Sequence, residues 1–328
     1  MTGASSTADF SALPNSGRTL KPVDVNQARA FLAVAEELHF GRAALRLHMA
    51  QPPLSRLIRA LEAQLGVTLF ERSPRKVSLT PAGEALIEPA RELLMQSERI
   101  RPLLQRVQRG EIGRVRLGFS GASVNSIVSA IVRAVRARRP GIGIELYGSQ
   151  LSSPGMERLR SHALDAIVGR WDVLPRDVAS HVVAHEELVI ALPDNHRLVS
   201  AERITAADLA DESWIVLPGG GGATLSTRLH ELSIRGRFVP KIVATAPDSA
   251  TQLLMVDAGN GIALTFSGVR ENIPLPTVVY RPLAAELAAV EVRLAWRASD
   301  ANPALAELVR IVKAMPPVTG PRRRRGRA

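Results

Sequence analysis

At 328 residues the chain is long enough for two or three domains, and with no cysteine it can hold no disulfide, thiol switch or cysteine-based metal site. Its 46% hydrophobic content is ordinary for a globular protein, and no apolar run approaches the ~20 residues of a membrane helix. The net charge of +11 is uneven: residues 24–81 hold 8 cations against 5 anions, residues 111–318 hold 22 against 21, and five arginines crowd the ending "GPRRRRGRA". Residues 1–23 read as a flexible polar arm without the apolar core of a secretory signal, so a cytoplasmic protein is expected.

In chain order, Ala28, Phe31, Leu32, Ala35 and Leu38 form a first helical stripe, and "GRAALRLHM" a short second helix. The stretch "AQPPLSRLIRALEAQLG" follows after a tight turn. Leu54, Leu57, Ile58, Leu61 and Leu65 share one face, while Pro52, Ser55, Arg56 and Arg59 project from the other. The two prolines fit only a first turn, and Gly66 supplies a stop. Two short helices, the second polar on its outer face, follow the helix-turn-helix plan. Strands at Val67–Phe70 and Val77–Leu79 then flank a basic turn carrying Arg72, Arg75 and Lys76, a wing whose cations suit phosphates or a minor groove.

The succession F-x-x-V-A-E, A-A-x-x-L-H, Q-P-x-L-S-R, I-x-x-L-E-x-x-L-G, L-F-x-R and L-T-x-x-G between Asn26 and Gly83 resembles the N-terminal domain of LysR-type transcriptional regulators. The "QPPLSR" form is similar to the branch that controls breakdown of aromatic compounds. His39 and Gly41 depart from the family's small hydroxyl residues, and Pro53 from its common alanine. The resemblance implies a winged helix-turn-helix over residues 24–82, with the motif at about 41–60, whose third helix enters the major groove of double-stranded operator DNA. Gln51, Pro52, Ser55 and Arg56 then face bases and phosphates. Arg56 can donate two hydrogen bonds to guanine, Gln51 can pair with adenine, and Pro52 can touch a thymine methyl. Arg59 and Arg42 are candidates for the DNA backbone.

Residues 83–110 form the next helix, with Thr80 as cap and Pro81 in the first turn. Leu86, Leu93, Ile100 and Val107 recur every seven residues with Leu104 in the same seam, a pattern that asks for a partner helix. The resemblance implies the family's linker helix, paired between subunits, so a homodimer and, by family habit, a tetramer are expected. Pro89 and Pro102 predict bends, or an early end near Arg101.

From residue 111 to 317 strand and helix signals alternate, which predicts a mainly parallel sheet in each of two lobes, residues 111–187 with 278–317 and residues 188–277. The fold class expected is therefore α+β and multidomain: winged helix-turn-helix, linker helix, and a two-lobed α/β effector domain resembling periplasmic binding proteins. Residues 318–328 read as a basic disordered tail. Ligands in such folds lie at the carboxyl ends of strands. Ser120, Ala122 and Ser123 follow the first strand, Ser149, Gln150 and Ser152 the second, Thr224 and Ser226 the "PGGGG" run, and Phe266 the segment "GIALT". Hydroxyls at helix N-termini suit a carboxylate, so the expected effector is a small organic anion.

Enzymatic signals are missing. No lysine follows "PGGGG" at P-loop spacing, no G-x-S-x-G elbow occurs, and the seven histidines lack metal-ligand spacing. No cofactor, metal or membrane is expected, and no enzyme activity. RNA polymerase is a further partner that a regulator implies. The competing reading is a binding-protein-like ligand receptor or enzyme with an appended helix-turn-helix.

Overall fold

The computed structural model describes residues 21–73, 76–150, 152–218, 223–284 and 289–319, without the side chains at 152, 153, 318 and 319. The chain divides into two units, Met1–Leu104 and Gln105–Ala328.

The first unit contains α1 (Val25–Glu37), α2 (Phe40–Arg46), α3 (Gln51–Leu65), the hairpin β1 (Phe70–Ser73) and β2 (Lys76–Leu79), and most of α4 (Pro81–Gln108). A capping box starts α1: the Asp24 carboxylate accepts from the Asn26 and Gln27 N–H groups, and the Gln27 side chain accepts from the Asp24 N–H. Ala28, Phe31 and Leu32 are buried as the stripe requires, but Leu38 is not. The helix stops at Glu37, and Leu38 turns left-handed at φ 47°, leaving it exposed. In α3, Leu54, Ile58 and Leu61 are fully buried, and Gly66 closes the helix at φ 72°. The first strand starts at Phe70, not Val67. The Glu62 carboxylate accepts from the Leu69 and Phe70 N–H groups at 2.9 and 3.2 Å, taking the place of a strand partner there.

Neither proline ends α4, which runs on to Gln108. The carbonyls that each proline leaves without an N–H belong to Ala85 and Glu98, both on exposed residues where water can serve them.

The second unit has two lobes. The first is built on a six-stranded sheet in the order β13-β6-β12-β5-β3-β4, from β3 (Ile112–Phe119), β4 (Gly141–Tyr147), β5 (Ala166–Gly169), β6 (Val178–Glu186), β12 (Val290–Arg297) and β13 (Val318–Thr319). β3 is parallel to both β4 and β5, as predicted, while β12 runs antiparallel between β5 and β6. Helices α5 (Asn125–Arg138) and α10 (Pro303–Lys313) share one core with the sheet, and α6 (Ser152–Arg160) contributes to another with Leu164, Ile167 and Ala295. Sequence reasoning missed α10, and it began the tail two residues early: Val318 and Thr319 pair with β6, and residues 320–328 lie outside the described residues.

The second lobe holds β7 (Leu188–Pro193), β8 (Ser213–Val216), α7 (Thr224–Gly236), β9 (Lys241–Thr245), α8 (Ser249–Asp257), β10 (Ala263–Phe266), α9 (Ser267–Asn272) and β11 (Val278–Pro282). β7 is antiparallel to both β10 and β11, so the sheet is mixed where a parallel unit was expected. The parallel pair β8-β9 joins through a bridge between Trp214 and Ile262. β11 also corrects the lobe boundary. It pairs with β7 rather than the first lobe's sheet, so the return crossing falls after Pro282 and not before Val278.

Candidate nucleic-acid interface and effector cleft

The outer face of α3 is open. Gln51, Pro52, Arg56 and Arg59 are exposed and Ser55 is half-buried. Among the described residues neither Arg56 nor Arg59 has an anionic partner, and Lys76 in the wing has none either. Two other predicted cations are engaged. The Arg42 guanidinium binds the Glu37 carboxylate at 3.2 Å and the Glu37 carbonyl at 2.5 Å. Arg72 donates to Glu62 at 2.9 Å and stacks over the Phe40 ring at 4.7 Å. Because Glu62 also holds the Leu69 and Phe70 N–H groups, Arg72 fastens the wing to the back of α3. Arg75 lies outside the described residues.

Along α4 the seven-residue seam splits. Leu86 and Leu93 are half-buried against the core of their own unit, alongside Ala90. Ile100, Leu104 and Val107 are 57%, 56% and 39% exposed, with Leu103 beside them at 50%. Only this second half is an apolar surface without a cover.

In the second unit three of the nine predicted effector residues, Ser120, Ser123 and Phe266, gather around a group that sequence reasoning missed. Arg170, directly after β5, is buried. It donates to the Ser120 and Ser123 hydroxyls at 3.3 and 3.2 Å and to the Glu186 carboxylate at 2.6 Å, and its guanidinium lies 4.0 Å from the centre of the Phe266 ring. Ser120, Ser123 and Arg170 come from the first lobe and Phe266 from the second. Burial pushes the Glu186 carboxyl above its usual range and the Arg170 guanidinium below its own, and attraction between the two opposes both shifts. On the second lobe's side, Asn272 donates to the Ser123 carbonyl at 3.1 Å and accepts from the Ser126 N–H at 3.1 Å. Gly268 packs so closely that an added Cβ would overlap a Glu186 oxygen and stand 2.9 Å from the Ser123 carbonyl.

Residues 25–84 match the bacterial regulatory helix-turn-helix proteins of the lysR family, and residues 108–316 match the LysR substrate binding domain. The chain belongs to the LysR family of transcriptional regulators. It is 34% identical to the transcriptional regulator ShiR of Corynebacterium glutamicum over 84% of this chain and 92% of that one. It is 33% identical to XapR of Escherichia coli over 87% and 96%. The crystal structure of full-length CbnR complexed with its target DNA is similar at TM-score 0.71 and 25% identity, covering 89% of this chain and 99% of that one. The protein is thus a LysR-type DNA-binding transcriptional regulator.

The remaining cleft residues of this LysR regulator are dispersed. Ala122 lies in a 3-10 turn (Ala122–Val124) that leads into α5. Ser149 is exposed and left-handed at φ 55°. The Gln150 side chain donates to the Gly148 carbonyl and accepts from Arg158 at 3.0 Å, so its polar atoms are already used. Ser152 opens α6, and its side chain lies outside the described residues. Thr224 is buried at the start of α7, its hydroxyl without a hydrogen-bond partner among the described residues. Ser226 lines a separate recess in the second lobe with Trp214, Leu229, Gln252 and Leu264. The signal for Arg170 was present in "DAIVGR": a cation closing a fully apolar strand needs a buried partner. Glu186, some sixteen residues on, has no such local cue. No group of residues able to hold a metal occurs among the described residues, and no described helix is long and apolar enough to cross a membrane.

Proposed function

We propose that the protein binds a dyad operator as a homo-oligomer and that a small organic carboxylate, seated between the lobes of the second unit, modulates that binding from within the cytoplasm. The observation that carries the effector reading is the cluster of Ser120, Ser123 and Arg170 with Phe266 across from it. It joins hydroxyl donors, a guanidinium and an aromatic face at the carboxyl ends of β3 and β5, where two lobes meet. Those groups suit a carboxylate attached to an apolar body. The uncovered Ile100, Leu104 and Val107 stripe supports pairing of α4 between subunits, which sets two copies of α3 on a two-fold operator. Gln51, Pro52, Ser55, Arg56 and Arg59 form the reading face, with Lys76 and Arg75 in the wing. A carboxylate that contacts both lobes favours one lobe arrangement, and its coupling to DNA is reciprocal, ~1–3 kcal/mol for a typical regulator. RNA polymerase is the further partner through which altered occupancy acts.

A thermal-shift screen of small carboxylates tests this reading. A ligand at 100 Kd adds ~2.7 kcal/mol of stability. Ser123→Ala should reduce the shift and leave ligand-free operator binding in place. Loss of operator binding with an unchanged ligand shift would place the effector elsewhere.

A further inference from the structure

A third tie between the lobes, besides those of Arg170 and Asn272, joins Asp172 to Arg228. Asp172, in the loop after β5, accepts from Nη2 of Arg228 in the second turn of α7 at 3.0 Å. The Arg228 side chain is only 16% exposed, against 36% for Asp172. Its Nη1 is held by Glu231 of the same helix at 2.7 Å. Its Nε is buried with no hydrogen-bond partner among the described residues. The edge of a guanidinium that carries Nε and Nη2 is a two-donor fork matched to a carboxylate. Two other arginines fill that fork, whereas Arg297 also leaves Nε without a partner among the described residues, its carboxylates Asp165 and Asp300 both lying in its own lobe. Arg116 gives Nε and Nη2 to Asp165 at 3.2 and 2.6 Å, and Arg310 gives the same two atoms to Glu307 at 2.9 and 2.6 Å. At Arg228 the fork is half used, by an aspartate reaching over from the opposite lobe.

We propose that Asp172 is a built-in competitor for Arg228: without effector it holds the two lobes together through one donor, and an anionic effector displaces it by taking both. This rests on the reading of the cleft as a carboxylate site, and it adds a residue that decides which ligands bind. A free carboxylate can align with Nε and Nη2 together, whereas Asp172 is fixed to its own loop. An uncharged ligand cannot repay the loss of Asp172 from a mostly buried cation, so Arg228 selects for anions.

The test is calorimetric titration of the full-length protein with acetate, benzoate and succinate as probe anions. Asp172→Asn should bind the best probe about two- to fivefold more tightly than the wild type, the range expected when a partly exposed ion pair no longer competes. Arg228→Lys keeps the charge but loses the fork, and should bind roughly tenfold more weakly. Asp172→Ser serves as a second variant should the asparagine change fold poorly. Equal or weaker binding by both Asp172 variants, equal binding by Arg228→Lys, or no binding of any probe to Asp172→Asn would overturn the proposal. A gel shift of operator DNA by the same wild-type preparation stands or falls separately, so failure here is distinct from failure of the regulator reading.

Discussion

The two units keep their cations in opposite ways. On the outer face of α3, Arg56 and Arg59 are exposed and have no anionic partner among the described residues. In the second unit, Arg116, Arg170, Arg228 and Arg297 all sit against carboxylates. A surface that docks on phosphate leaves its cations to water because the partner brings the countercharge. The interior of a folded unit cannot do so, since an unpaired buried charge costs several kcal/mol. The contrast also sorts cations within the first unit. Arg42 and Arg72 are spoken for by Glu37 and Glu62, so their first role is structural.

The same contrast applies to apolar side chains and gives the largest expected effect. Leu93 is covered by its own unit, and Ile100 and Leu104 are not. Burying each such side chain is worth ~1.5–3 kcal/mol, and a charge placed there opposes pairing further. Ile100→Glu with Leu104→Glu should abolish self-association in sedimentation velocity while the chain stays folded. Leu93→Glu should instead lower the melting temperature. If the double variant sediments like the wild type, α4 is not the pairing surface.

Free and tethered arginines should separate next. Arg56→Ala is expected to weaken specific operator binding by ~1–3 kcal/mol and to relax discrimination at one base position. Arg59→Ala should weaken all DNA sequences alike and reduce the salt slope by about one. Arg72→Ala should cost thermal stability before it costs base discrimination, because it removes the Glu62 ion pair and the stacking on Phe40. Titrations against operator and scrambled duplexes at several salt concentrations read all three. A base-specific defect in Arg72→Ala would erase the distinction.

A smaller effect is expected at the lobe junction. Gly268→Ala forces apart Glu186 and the Ser123 carbonyl, an overpacking of about 1–3 kcal/mol, toward the low end because α9 is only six residues long. Melting in the absence of ligand measures it. An unchanged melting temperature would mean the lobes already adjust freely there.

The two units also differ in how far their sequence could be read. The interface of the first is local: Gln51 to Arg59 is one helix, and its stripe and stop lie within sixteen residues, so periodicity alone places the outer face. The proposed effector site is assembled from Ser120, Arg170, Glu186 and Phe266, separated by long stretches of chain, and no pattern within a window reports which strand ends meet. Hydroxyls after strands were found because they have a local signature. Their buried cation was not, because among 38 arginines its one cue, a place at the end of an apolar strand, names no partner. The same limit explains β11. Its apolar pattern marks a strand, while its partner β7 lies far back in the chain and decides the lobe. The split seam of α4 likewise depends on which turns the neighbouring core reaches, which a heptad count does not state.

The smallest effect concerns a buried carboxylate, Glu307, whose partner Arg310 is exposed to solvent. Glu307 in α10 accepts from Arg310 at 2.9 and 2.6 Å and from Arg139 at 2.7 Å. The Arg310 hydrogen bonds, with Arg139 adding to them against the opposing effect of burial, hold its carboxyl at about 2, below the usual 4.5. A carboxylate lowered in the folded state stabilises it fully above the unfolded value and loses that contribution as pH falls through the folded one. The window is therefore from about pH 4.5 down to about 2. Over that range the wild-type melting temperature should fall more steeply than that of Glu307→Gln, which has no such proton to bind. Since Arg310 is 64% exposed, added salt should shrink the difference. Salt should barely touch the buried Arg170–Glu186 pair, whose side chains are 5% and 6% exposed. Parallel acid profiles for the wild type and Glu307→Gln at low salt would show that this pairing contributes nothing to folding, and that the tie between α10 and α5 rests on their apolar faces alone.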